Sequence, residues 1–133
     1  EAWQRSYTEI NEFERTLSDN GVRIIKLFMH ISSDEQRQRF KERLHNPFKR
    51  WKLTEEDLHN RQQRSAYINA VNDMFSKTDT EYAPWRIING EYKWQARIDV
   101  LETVIAALSE GVDITPPPLD EKLIELASAQ LDL

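Results

Sequence analysis

The 133-residue chain contains no cysteine, which excludes disulfide scaffolds, thiolate metal sites and cysteine nucleophiles. Its three glycines, Gly21, Gly90 and Gly111, stand far apart, so none can build a glycine-rich loop that cradles phosphates. No uncharged run approaches the ~20 apolar residues of a membrane span. No charged-then-apolar leader opens the chain either. These absences lead us to expect a cytoplasmic protein without a membrane partner. What is present suits one ordinary domain: 39% hydrophobic residues, 31% charged residues and a net charge of -5. That apolar share is too large for a disordered chain.

The apolar spacing predicts mostly helix. Trp3, Tyr7, Ile10, Phe13 and Leu17 fall on one helical stripe, which we expect in the core, and Asn20-Gly21 supplies the stop. Val22–Ile31 is apolar and β-branched enough to be a strand buried on both faces of a parallel sheet, with His30 as a hydrogen-bonded core residue. Ser33 with Gln36 predicts a capping box opening a helix that turns Phe40 and Leu44 inward and ends at Asn46-Pro47. Phe48–Leu53 connects to a long helix, opened by Thr54 and Asp57 and running to about Ser76. Trp85–Ile88 is a second strand closing at Asn89-Gly90, and a helix follows from about Glu91 to Glu110. Pro116-Pro117-Pro118 stiffens a spacer before a last amphipathic helix, Asp120 to Leu131. Two strands joined by a long helical crossover predict a parallel βαβ unit. Such a sheet needs more strands, so we expect half of an α/β domain, the rest lying upstream.

The net charge conceals an asymmetry. Seven basic residues (Arg37, Arg39, Lys41, Arg43, Lys49, Arg50, Lys52) face only Glu42 between 37 and 52, whereas eight acids face only Lys122 from Asp99 onward. A basic block in an acidic chain is a candidate anion site, weighed against a merely solvated face. Arg39 and Arg43 are one turn apart on one helix face, and Lys49, Arg50 and Lys52 continue the block into the connector around Trp51, which we expect to pack that connector. Lys93 and Arg97 either face the same site or pair with nearby acids, the latter being the more economical. His30, His45 and His59 lack metal-ligand spacing, so no metal site is expected in this segment.

Three stretches taken together carry a resemblance: FERTLSDNGVRIIKLFMHISSDEQRQRFKERLHNPFKRWKLTEEDL (Phe13 to Leu58), YINAVNDMFSKTDTEYAPWRII (Tyr67 to Ile88) and YKWQARI (Tyr92 to Ile98). RFKERLHNPFKRWKLTEED is the most specific of them. The chain resembles the C-terminal half of the family-2 polyphosphate kinases, which include the polyphosphate:AMP phosphotransferases. The resemblance implies an α/β fold: the helix-rich C-terminal half of a P-loop kinase-like parallel-sheet domain with a helical lid. It assigns residues 1–111 to that half, about 34–77 to the lid, and 112–133 to the proline spacer and terminal helix. It also implies phosphoryl transfer between inorganic polyphosphate and AMP or ADP, with Mg²⁺; the homo-oligomer we expect rests instead on apolar surface that missing strands would leave exposed beside Val22–Ile31. Arg39, Arg43, Lys49, Arg50 and Lys52 would be phosphate-binding lid residues, and Asp57 would open the second lid helix. No catalytic residue is expected in this segment, because the P-loop lysine and the Mg²⁺-binding aspartates belong upstream. Asn46 and Arg64 depart from the family's usual aspartate and tryptophan. The other readings are a non-catalytic helical interaction module or degenerate kinase half, and, disfavoured by the acidic remainder, a nucleic-acid binder.

Overall fold

The computed structural model describes residues 2–131, with side chains from Arg5 onward, so Trp3 of the first stripe lies outside the described side chains. The chain runs α1 (Ala2–Asp19), β1 (Lys26–His30), α2 (Ser33–His45), a 3-10 turn (Arg50–Lys52), α3 (Glu55–Gln62), α4 (Arg64–Thr78), β2 (Trp85–Asn89), α5 (Lys93–Ser109) and α6 (Glu121–Leu131). The predicted parallel pair is present. Lys26 stands beside Trp85 and His30 beside Asn89, with three helices in the crossover.

Alternation divides the sheet into two faces. On one, Phe28 meets Phe75 of α4 edge to face at 5.2 Å, and Phe75 meets Trp85 at 5.4 Å. On the other, Ile88 is buried and Ala96 of α5 is buried nearby. The buried apolar centre is small: Val71, Ala83, Ile88 and Ala96, with Thr78 among them. Thr78 is satisfied, its hydroxyl donating to the Met74 carbonyl and accepting from the Trp85 indole N–H.

Several expectations change. The first strand is only five residues long, Met29 is half exposed and His30 is exposed, because among the described residues β1 pairs with β2 alone. His30 is therefore not a core histidine; its ring stacks loosely on Phe28. Phe13 and Leu44 are also exposed, at 66% and 55%. α1 turns its Asn11 and Glu14 side to the body instead. Asn11 donates to the Lys77 carbonyl at the end of α4, and Glu14 pairs with Lys26 at 2.7 Å. The expected long helix is broken at Gln63 into α3 and α4. Past α5, Thr115 donates to the Asp113 carboxylate, which holds that carboxyl below its ordinary range, and the prolines carry the chain to α6. No described helix is long and apolar enough to cross a membrane.

Candidate functional site

The carboxyl ends of parallel strands are where open α/β sheets bind ligands, and here both ends are joined. Gly90, just past β2, donates its N–H to the carbonyl of His30, the last residue of β1, at 2.6 Å. Gly90 is buried, and a Cβ there would lie 2.8 Å from the Ile31 side chain and 2.9 Å from the His30 carbonyl oxygen. The next residue, Glu91, accepts from both the backbone N–H and the hydroxyl of Ser32. Ser32 in turn caps α2 by accepting from the Glu35 N–H at 3.0 Å. The cap is thus Ser32 rather than Ser33, one residue earlier than the sequence suggests.

From this junction α2 carries the basic block outward, and the block divides by position. Arg39, at the base, pairs with Glu35 at 2.6 Å and donates to the Gly90 carbonyl, so it fastens α2 to the end of β2. Arg43, one turn on, lies over the Phe40 ring and stands 3.9 Å from Asp57 of α3. Asp57 also completes the expected capping box with Thr54. Arg50 donates to the Leu44 carbonyl at 3.0 Å, satisfying the end of α2. Lys52 sits over Trp51, whose indole N–H reaches the Phe48 carbonyl; Trp51 is 75% exposed and braces the connector from outside. Lys49 is exposed in the same connector. Arg39 and Arg43 therefore lie along the inner length of the segment, and Lys49, Arg50 and Lys52 at its far end.

Two arginines that the sequence did not single out as site residues hold the segment down from the other side. Arg61 of α3 donates to the Ser33 carbonyl at 2.8 Å and to Gln36 at 2.9 Å. Arg64, the first residue of α4, donates to the Ile31 carbonyl. They flank the break at Gln63, and both reach the start of α2. The only sequence signal for them is that they lie just before an apolar helix, too weak to assign partners.

Beside the junction lies a cleft of about 630 Å³. Met29, Ile31 and Val100 give it an apolar floor, and Arg39, Lys93 and Arg97 are its cations. The expected pairing of Lys93 and Arg97 with acids is not found among the described residues. Arg97 lies over the Trp94 ring at 4.5 Å instead. Among the described residues no three His, Asp or Glu side chains gather closely enough to hold a metal ion.

Comparison with known proteins bears on the chain as a whole. The profile of polyphosphate kinase 2 (PPK2) matches residues 1–114. The chain belongs to the polyphosphate kinase 2 family. It is 49% identical over 111 residues to a polyphosphate:AMP phosphotransferase of Acinetobacter johnsonii, covering 84% of this chain and 23% of that protein. It is 42% identical over 127 residues to an AMP/ADP-polyphosphate phosphotransferase of Meiothermus ruber, covering 93% and 47%. The crystal structure of polyphosphate kinase 2 from Arthrobacter aurescens TC1 superposes with a TM-score of 0.80 at 35% identity, over 98% of this chain and 46% of that one. The chain thus spans less than half the length of these relatives. The helix-rich α/β fold with a parallel sheet is that of the family.

Proposed function

We propose that this chain supplies the basic lid of a phosphotransferase that moves phosphoryl groups between inorganic polyphosphate and AMP or ADP. The observation that carries this reading is the placement of the α2–connector–α3 segment directly on the carboxyl ends of β1 and β2. Family membership and the names of its relatives support it. Phosphoryl transfer needs alignment and neutralised charge more than covalent help. A segment bearing Arg39 and Arg43 inward and Lys49, Arg50 and Lys52 at its tip suits a polyanion. Arginine offers bidentate contacts, and lysine offers point charges. Closure of such a lid would exclude water from the transferring group. Mg²⁺ would be held by groups outside this chain, neutralising phosphate charge when bound. A homo-oligomer goes with the apolar residues left exposed along α5, and a cytoplasmic setting with the nucleotide substrates.

The test measures polyphosphate affinity of the chain for single substitutions across a salt series. Arg43→Ala is expected to weaken binding several-fold more than Arg37→Ala, because Arg43 shares the Arg39 side of α2 while Arg37 sits about 160° around it. Melting temperature should barely move for either, since Arg37 is exposed and the part-exposed Arg43 stands in a long 3.9 Å pair with Asp57, and such charges contribute ~0–1 kcal/mol. Equal and negligible losses would reduce the basic block to a solvated face, leaving the interaction-module reading. The chain alone should show no turnover with polyphosphate and nucleotide.

A further inference from the structure

We propose that Lys93 and Arg97 form, with Arg39, a second cationic wall that grips phosphate oxygens in the cleft at the carboxyl ends of the strands. The inference rests on the phosphotransferase reading and adds a site outside the basic lid block. Lys93 and Arg97 are four residues apart at the start of α5, so they stack on one side of the helix. Like charges at that spacing destabilise a helix rather than support it. No ion pair joins Lys93 or Arg97 to an acid among the described residues, although Lys93 shares a neighbouring hollow with Glu35 and Glu91. The acids around them have other hydrogen-bond partners. Glu91 is bound to Ser32, Glu35 to Arg39, and Asp99 accepts from Gln95 at 2.7 Å. α5 therefore begins with two cations that line the cleft and belong to no ion pair among the described residues.

Their setting favours an anion in three further ways. Tyr92 caps α5 without any side-chain hydrogen bond, so the positive end of the helix, next to Lys93, is left without a side-chain acceptor. The Trp94 ring holds the Arg97 guanidinium by its face, which leaves the N–H edges free to meet oxygens. The apolar floor of Met29, Ile31 and Val100 lowers the local dielectric, which strengthens any charge pairing there. Arg39 is already tied to Glu35 and Gly90, so it acts as the fixed back of the wall, with Lys93 and Arg97 as its exposed arms. The ligand chemistry is a phosphate oxyanion. It could arrive on polyphosphate or on the phosphates of a nucleotide.

Calorimetric titration of the 133-residue chain separates the sources. One arm uses long-chain inorganic polyphosphate, a second uses AMP and ADP, and adenosine serves as the phosphate-free control, each over a salt series. Lys93→Gln and Arg97→Gln are each expected to weaken binding of a phosphate ligand roughly tenfold at low salt, the size of a charged hydrogen bond. Each should also lower the slope of log affinity against log salt by about one unit for polyphosphate. Arg97→Lys should recover part of the loss, since it restores charge but not the fork. Loss in the polyphosphate arm assigns the wall to the polymer, and loss in the nucleotide arm assigns it to the nucleotide; either supports the proposal. Arg5→Gln, an exposed cation on α1, reports non-specific attraction. If Lys93→Gln and Arg97→Gln match Arg5→Gln while Arg43→Gln loses affinity, the wall is overturned and the lid reading stands. If the unsubstituted chain binds neither polyphosphate nor nucleotide better than adenosine, both fall. Lys93 is exposed, so Lys93→Gln keeps the test independent of any unfolding caused at Arg97.

Discussion

Lys26 and Arg5 each pair with a glutamate, and water decides how much each pair matters. The Lys26–Glu14 side chains are only 9% and 12% exposed, and Lys26 also donates to the Thr78 carbonyl and lies 5.2 Å from the Trp85 ring. Lys26→Ala strands a carboxylate in that setting, so a loss of about 3 kcal/mol is expected. The Arg5–Glu9 pair is 82% and 54% exposed, and Arg5→Ala should cost no more than about 0.5 kcal/mol. Urea unfolding of the two variants checks the contrast. Gly90→Ala belongs to the same scale. Its methyl group would meet the Ile31 side chain and a carbonyl of β1, and overpacking of that kind costs about 1–3 kcal/mol. A melting temperature equal to that of the unsubstituted chain would mean the junction yields freely.

At the scale of elements, α2 and α3 bury no residue, whereas α4 buries Val71 and Thr78. Segments with few buried contacts open most easily. Amides of α2 and α3 should therefore exchange with solvent faster than those of α4, and Arg64→Ala should speed exchange in α2 while leaving α4 unchanged. Hydrogen exchange read peptide by peptide decides it. The same elements mark what the sequence could and could not say. Thr54 with Asp57, the Asn89-Gly90 stop and the two strands were legible because each rests on neighbouring residues. The break at Gln63 was not, since it accompanies hydrogen bonds from Arg61 and Arg64 to residues about thirty positions away. The length of β1 was overread for a related reason. An apolar run announces that it wants cover, but only a neighbouring strand can supply it, and one side of β1 has none among the described residues. The cations of residues 37–52 were legible as a charged block. Their division into base and tip was hidden, because it depends on which carbonyl or ring each side chain reaches.

Across the whole molecule, apolar area is left unspent. Trp94, Ile98, Leu101, Ile105 and Leu108 of α5 are 49–77% exposed at alternating spacings of four and three, a continuous stripe along one side. Stripes of that kind seek cover. Sedimentation should show mass rising with concentration, and Leu101→Glu should shift the balance toward monomer. A monomer at every concentration would leave α5 solvated. The parallel pairing carries a further consequence, in time rather than in space. Each residue of β1 meets a partner 59 positions later in the chain, Lys26 with Trp85 and His30 with Asn89. The sheet cannot zip from a local turn. It forms only after a long loop has closed, and such non-local contacts slow folding. The helices of the crossover can fluctuate into shape early, yet the Gly90–His30 bond and the tie of Arg39 to Gly90 must wait for the strands to find each other. A chain emerging from synthesis would carry its basic segment without the Arg39 tie until residues 85–90 arrive.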